Sequence, residues 1–294
     1  MGLVVVGLVV VVARKMDLHA LRGALVAADM AWVGAAAVLS LAMLAAKVGY
    51  WRTILSPVAR VPYGRMLWYT VSSYGASVIL PMRGGEAVRV LYLSRQEGIP
   101  LGVIGSALAF EKVADMASLV LLPSPLPWLY PNEAWLRRFQ VITPFALTGG
   151  LLAALCAWQR LAAWASRLRI FDTARQPLSA FLFVLASWVA DATLILTVLC
   201  ATGLPASPAA ALLVLMAANL ASAIPTAPGD VGALELGVAF ALTRLGAAEA
   251  RAAAFALLYH GVQLATLLGA WGIGAGMVLL GGARARRRPT ESSG

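Results

Sequence analysis

The chain is poor in charged residues, which make up only 12% of its 294 positions, and it contains just two cysteines and two histidines. Soluble domains are about 25% charged and about 45–50% apolar, so a chain that is 61% hydrophobic falls outside that class. Cys156 and Cys200 both lie in apolar runs, while His19 and His260 are far apart in sequence. We therefore expect no disulfide, no metal site and no cofactor.

Long apolar segments make up most of the sequence and indicate an integral membrane protein, because a helix needs about 20 apolar residues to cross a bilayer core. We place membrane helices at about residues 2–13, 29–49, 64–80, 102–122, 140–158, 178–202, 208–224 and 250–280. The pieces 82–98 and 229–246 are punctuated by glycine or charge, which predicts re-entrant or buried broken helices. The predicted fold class is all-α: a polytopic bundle of about eight spanning helices and two broken segments. It forms one domain over 1–282, followed by a basic disordered tail over 283–294.

The basic residues predict the orientation of the chain, whose net charge is +10. They group in two loops and the tail: Lys47, Arg52, Arg60 and Arg65, then Arg160, Arg167, Arg169 and Arg175, then Arg284, Arg286, Arg287 and Arg288. Placing these groups in the cytoplasm satisfies the positive-inside rule, with both termini cytoplasmic in a bacterial-type inner membrane. The excess positive charge then favours anionic lipid headgroups as partners, and we expect no nucleic acid.

The densest polar stretch begins with PMRGGE at 81–86 and continues into the following apolar run. Ionisable groups cost roughly 2.5–3.5 kcal/mol each at a helix centre, so they usually mark a pathway or a ligand site. Glu111 and Asp115 are one helical turn apart and face the same side. Two interpretations are compatible here: an internal salt-bridge network, or arginines that exchange a carboxylate for a lipid phosphate. The candidate substrate-binding residues are Arg83, Glu86, Arg89, Arg95, Glu111, Asp115, Glu235 and Arg244.

A second Pro/Gly break, PTAPGDVGALE at 225–235, echoes the first. With Glu86 set against Glu235, thirty following positions align without a gap, and Glu111 meets His260. The halves, about 64–122 and 208–280, are predicted to run in opposite directions, which describes an inverted repeat. The predicted turn residues of the two breaks are Pro81, Gly84, Gly85, Pro225, Pro228, Gly229 and Gly232.

Other polar groups in the second half have more than one interpretation. Glu235 is expected to pair with Arg244, next to a half-helix whose amide end near Gly229 suits an anion. His260 is either a hydrogen-bonded structural residue or a proton relay. Asp191 and Asn219 are predicted to form hydrogen bonds between helices. The nine tryptophans, which include Trp51 and Trp188, are interpreted as an interfacial belt.

At these motifs the chain resembles the lysylphosphatidylglycerol synthase transmembrane-region family, a flippase-like membrane domain. The family pattern Pro-x-Arg-x-Gly-(Glu/Asp)-x-x-Arg is met at 81–89, and its acid-containing helix at 111–115. The pattern Pro-x-x-Pro-Gly-Gly-x-Gly-x-x-Glu is met at 225–235, except that Asp230 replaces the second glycine. The resemblance implies lipid translocation or an accessory membrane role. We expect no synthase activity, because the soluble aminoacyl-transfer domain is missing.

Three functions remain open from the sequence. The first is a flippase-like transporter that moves an anionic lipid or lipid-linked headgroup through a polar intramembrane cavity. The second is a non-catalytic scaffold of a lipid, hopanoid or polyprenyl pathway, and the third an integral membrane lipid-modifying transferase with Glu111 and Asp115 as acid and base. We expect a non-enzyme whose partners are membrane lipids, with a homo-oligomer or a lipid-pathway protein as further candidates.

Overall fold

The computed structural model describes residues 18–80, 84–129, 175–222 and 231–286. Within these ranges every regular element is a helix, which confirms the predicted all-α membrane bundle. The helices are α1 (Leu18–Val26), α2 (Met30–Leu55), α3 (Tyr63–Ile79), α4 (Gly85–Gln96), α5 (Leu101–Leu121), α6 (Leu126–Leu129), α7 (Arg175–Ala201), α8 (Pro208–Ser222), α9 (Ala233–Arg244) and α10 (Glu249–Arg286).

Among the described residues, three helices are long and apolar enough to cross a membrane: α2, α7 and the stretch Glu249–Gly276 of α10. The other helices are shorter or carry more charge, so the number of spans stays a prediction. The predicted helices at 2–13 and 140–158 lie outside the described residues.

Two predicted helix ends are wrong. Helix α2 begins at the N-cap Asp29, whose Oδ1 accepts the Ala31 N–H at 2.8 Å, and it continues to Leu55 rather than 49. Lys47 and Arg52 are therefore helical and do not belong to a loop. At the other end of the chain α10 extends to Arg286, so the tail cannot start at 283. Residues 287–294 lie outside the described ranges.

The two largest hydrophobic cores of the described residues share α2 and α7. The first contains Trp51 and Val184 together with residues of α3, α4 and α5, such as Leu93. The second contains Ala36 and Leu194 together with residues of α8, α9 and α10. Helices α2 and α7 also pack extensively against each other. They therefore form a central pair. One half of the repeat packs against this pair in the first core, and the other half packs against it in the second core.

The two halves have the same order of elements, namely α3–break–α4–α5 and α8–break–α9–α10. The helix after each break has 12 residues and packs back on the helix before the break. A glycine permits this close approach in both halves. A Cβ at Gly85 would lie 1.8 Å from the Ser73 carbonyl oxygen, and one at Gly237 would lie 2.6 Å from the Ala221 Cβ. This common architecture supports the repeat, while its inverted orientation stays a prediction.

Reciprocal glycine–tryptophan contacts join α3 of the first half to α10 of the second. A Cβ at Gly75 would lie 2.6 Å from the Trp271 ring, and a Cβ at Gly274 would lie 2.6 Å from the Trp68 ring. The two helices therefore pack too closely to admit a larger residue at either glycine without a shift of the neighbouring indole.

Candidate functional site

Three charged side chains of the first half meet one of α2, and the four are called here the first-half charge cluster: Lys47, Arg89, Glu111 and Asp115. Lys47 Nζ lies 3.2 Å from Glu111 Oε1 and 2.9 Å from Asp115 Oδ1. Arg89 Nη1 lies 3.5 Å from Glu111 Oε2. With two cations and two anions the cluster is formally neutral, as burial of charge requires. The predicted shared face of Glu111 and Asp115 is confirmed, because both carboxylates meet the same ammonium group.

Arg89 is the least exposed member of the cluster, at 2%. Its guanidinium lies 4.8 Å from the Trp51 ring centroid and 5.1 Å from that of Tyr74, both within cation–π range. Nη2 donates to Ser73 Oγ at 3.2 Å, and Nε finds no acceptor among the described residues. An arginine fork usually binds a carboxylate through two short hydrogen bonds. Here it makes one long contact with Glu111, so part of its donor capacity is unused.

Helix α7 also reaches the cluster, through Trp188. The indole Nε1 donates to Asp115 Oδ1 at 2.9 Å, so this oxygen accepts from both Trp188 and Lys47. Asp115 is thereby fixed by two helices, α2 and α7, which belong to the central pair. The cluster consequently connects the first half of the repeat to the shared centre of the bundle.

Three residues of this site were missed or misassigned from the sequence. Lys47 was expected in a cytoplasmic loop, and Trp51 and Trp188 were expected at the membrane interface. Trp51 is instead fully buried beneath Arg89. A usable signal was present for Lys47 alone, since its apolar run continues with Val48-Gly49-Tyr50-Trp51, which is typical of a helix interior.

The remaining first-half candidates lie away from the cluster or outside the described residues. Glu86 forms an ion pair with Lys112 at a half-exposed position, and Arg95 is exposed in the last turn of α4. Gly84 and Gly85 begin α4 as predicted for the break. Pro81 and Arg83 lie outside the described residues.

In the second half Glu235 pairs with His260, and its predicted pairing with Arg244 is wrong. Glu235 Oε1 lies 2.7 Å from His260 Nδ1, and Oε2 accepts the Gly232 N–H at 2.7 Å, which caps α9. Arg244 is exposed at the opposite end of α9, with its guanidinium over Phe240. Nine residues of helix, about 13 Å, separate it from Glu235.

The described part of the second break is limited to its end. Gly232 has φ 90°, a conformation that glycine adopts without strain. Helix α9 begins at Ala233 rather than near Gly229. Pro225, Pro228 and Gly229 lie outside the described residues. The Glu235–His260 pair agrees with the interpretation of His260 as a hydrogen-bonded structural residue. A role of His260 as a proton relay stays a prediction.

A third polar group lies between the halves. Asp191 of α7 accepts hydrogen bonds from Tyr259 and Gln263 of α10, which confirms its predicted interhelical role. Asn219 donates to the Leu215 carbonyl one turn earlier on its own helix, so for Asn219 the interhelical bond stays a prediction. Nowhere in the described ranges do three or more His, Cys, Asp or Glu side chains gather as metal ligands would.

Comparison with known proteins identifies the family. A search of curated proteins found no match to the chain. The family model described as lysylphosphatidylglycerol synthase TM region matches residues 1–272, which include both breaks, the first-half charge cluster and the Glu235–His260 pair. The chain therefore belongs to the lysylphosphatidylglycerol synthase TM region family of membrane domains.

Proposed function

We propose that the protein is a lipid transporter that passes an anionic phospholipid or lipid-linked headgroup across a bacterial-type inner membrane. The observation that supports this proposal is that the buried Arg89 guanidinium has an incomplete set of partners. Arg89 is a buried cation on the helix that follows a break, and its guanidinium makes one long ion pair and leaves Nε without a described acceptor. Intramembrane cations of this kind usually serve a ligand or a pathway.

A lipid phosphate can take the place of Glu111 on Arg89 without leaving that carboxylate unpaired. Glu111 Oε1 is held independently by Lys47 at 3.2 Å. The planar guanidinium would then bind the phosphate through two parallel hydrogen bonds, which are shorter and stronger than the present contact. The exchange therefore replaces one weak ion pair with a bidentate one.

The added phosphate charge calls for a further cation, because the cluster itself is neutral. Arg83, predicted from the sequence as a site residue, lies six positions before Arg89 and is the candidate. We infer that the headgroup binds at Arg89 of α4 while the acyl tails remain in the bilayer. Rocking of one half of the repeat against the other would change the side to which the headgroup is exposed.

A non-catalytic scaffold of a lipid pathway is the second candidate, favoured by the neutrality of the cluster. We propose no enzymatic activity in either case, since Lys47 holds both Glu111 and Asp115. A carboxylate that shares a cation at about 3 Å is poorly placed to exchange protons with a substrate. We further propose that lipids are the main partners.

Lipid movement in reconstituted vesicles tests this function. The purified protein is placed in vesicles that carry a trace of phosphatidylglycerol with a fluorescent acyl chain or a matched phosphatidylcholine, and the label that becomes accessible outside is followed over time. Arg89→Gln removes the buried cation, and Arg95→Gln is the matched control at an exposed site on the same helix.

We expect the unaltered protein and Arg95→Gln to move phosphatidylglycerol well above the protein-free rate. Arg89→Gln should slow it at least ~tenfold, since loss of a buried charge partner costs about 2–5 kcal/mol. Arg89→Lys, which keeps the charge and loses the fork, should be intermediate. Equal rates for Arg89→Gln and Arg95→Gln would refute the site, and a protein-free rate for the unaltered protein would favour the scaffold.

A further inference from the structure

Asp191 is a deeply placed carboxyl group that the proposed lipid site does not use. It is 5% exposed and lies 16 residues after the start of α7 and 10 before its end. These separations correspond to about 24 Å and 15 Å along the helix axis, so the group is far from both helix ends. Its position on a membrane-spanning helix makes an ionised carboxylate costly unless a cation accompanies it.

The contacts of Asp191 are neutral and all fall on one oxygen. Tyr259 donates its hydroxyl to Oδ1 at 2.9 Å, and Gln263 donates its amide Nε2–H to the same atom at 3.0 Å. Oδ2 accepts no hydrogen bond from the described residues. A neutral carboxylic acid has this distribution, with a carbonyl oxygen that accepts and a hydroxyl oxygen that carries the proton.

No cationic side chain of the described ranges lies within ion-pair distance of Asp191. Tyr259 is the titratable group in contact with it, and α8 has no charged residue. Two charged groups on the surrounding helices are paired elsewhere: Lys47 of α2 with Glu111 and Asp115 of α5, and His260 of α10 with Glu235 of α9. Burial without a counter-charge favours the protonated form, because the carboxylate would lose its hydration without compensation.

We propose that Asp191 is an intramembrane proton-binding site that couples lipid movement to protons. It takes up a proton from water as the α7–α10 contact forms and returns it to water when that contact opens. Trp188, the donor to Asp115 in the first-half charge cluster, precedes Asp191 by one turn of α7. A change in the α7–α10 contact would therefore move a helix that holds the cluster. The proton site is inferred from the contacts of Asp191 alone, whereas the coupling to lipid movement rests on the proposed function.

Infrared spectroscopy of the protein in lipid nanodiscs tests the proton site independently of transport. A protonated carboxyl group has a carbonyl stretching band at higher frequency than any carboxylate band. We expect this band at neutral pH in the unaltered protein, its loss in Asp191→Asn, and its retention in Asp29→Asn. Asp29 is the matched control, since it is an exposed N-cap where an amide also caps the helix.

Tyr259→Phe keeps the carboxyl group and removes one hydrogen bond to its carbonyl, so the band should shift to higher frequency. This second variant keeps the test decisive where Asp191→Asn fails to fold. Absence of the band in the unaltered protein, or a band unchanged by Tyr259→Phe, would overturn the proton site. A carboxylate band that responds to added sodium would do the same, since it would show a metal ion there.

The coupling is tested by an imposed pH difference across the vesicles. We expect it to change the rate of phosphatidylglycerol movement severalfold in the unaltered protein and in Asp29→Asn, and to have no effect in Asp191→Asn. An equal response in Asp191→Asn would overturn the coupling. Absence of lipid movement in every protein would refute the proposed function, while the infrared band would still decide the proton site.

Discussion

The Arg89 guanidinium and the Glu111 carboxylate are separated by 3.5 Å, the longest nitrogen–oxygen distance among the ion pairs of the described residues. Lys47, in contrast, lies 3.2 Å from Glu111 and 2.9 Å from Asp115. The two buried cations therefore have different roles. Lys47 lies within 3.2 Å of both carboxylates, whereas Arg89 has one long ion pair and an Nε without an acceptor among the described residues.

Replacement of Lys47 should destabilise the protein strongly. Lys47→Met keeps an unbranched side chain only one atom shorter but leaves Glu111 and Asp115 without their shared cation. Removal of one partner from a buried ion pair typically costs about 3–5 kcal/mol. The midpoint of thermal unfolding in detergent measures the effect.

Lys112→Met is the matched control for Lys47→Met. Lys112 also pairs with a carboxylate, Glu86, but 48% of its side chain and 38% of that of Glu86 are exposed. An exposed ion pair contributes about 1 kcal/mol or less. A midpoint lowered equally by the two substitutions would contradict the distinct role of Lys47.

The contact between α3 and α4 should depend on Gly85. In Gly85→Ala the new methyl group would lie 1.8 Å from the Ser73 carbonyl oxygen and 2.6 Å from the Ser77 backbone nitrogen. Because these are backbone atoms, the helices must separate, at a cost of about 1–3 kcal/mol or more. Thermal unfolding and the yield of monodisperse protein report this change.

Gly105→Ala provides the comparison for Gly85→Ala. Gly105 lies within α5, and a methyl group at this position would meet no atom within 4 Å beyond its own helix and chain neighbours. Alanine is favoured over glycine in a helix interior by about 0.5–1 kcal/mol, so this variant should be neutral or stabilised. If Gly85→Ala and Gly105→Ala lowered the midpoint of thermal unfolding equally, helices α3 and α4 would be packed less closely than described.

The Glu235–His260 pair should be energetically coupled. A double-mutant cycle with Glu235→Gln and His260→Gln uses the free energies of unfolding of the variants. It separates the interaction energy of the pair from the contribution of the cap at Gly232. We expect a coupling energy of about 1–3 kcal/mol, since the two groups lie 2.7 Å apart and His260 is buried.

The corresponding cycle for Glu86 and Lys112 serves as the reference, because Glu86 aligns with Glu235 and its pair with Lys112 lies at a more exposed site. Their coupling should stay below about 1 kcal/mol. If the second-half pair shows no more coupling than the reference, the Glu235–His260 contact does not stabilise the start of α9.

The sequence predicted the helices better than the contacts between them. Hydropathy located α3, α5, α7 and α8 to within about three residues at each described end, because the bilayer selects for long apolar runs. It also predicted that Glu111 and Asp115 share a face, since helical periodicity is local. The α2 end was wrong because Lys47 was treated as a loop charge, although its helix continues to Leu55.

The partners of the charged residues could not be predicted, because they depend on tertiary packing. Lys47 and Asp115 are 68 positions apart, and only the packing of α2 against α5 brings them together. The repeat alignment suggested Arg244 as the partner of Glu235, whereas the actual partner is His260 of α10, a different helix. Tryptophan posed the same problem, since an indole buried under Arg89 has no local signature that separates it from an interfacial one.

The measurement that tests the central role of Arg89 most directly is an experimental structure of the protein in nanodiscs containing phosphatidylglycerol. We predict a phosphate oxygen at about 2.7–3.0 Å from the Arg89 guanidinium, with Glu111 moved away from it and still in contact with Lys47. The contradicting result is an anionic headgroup bound elsewhere while the Arg89–Glu111 contact stays intact.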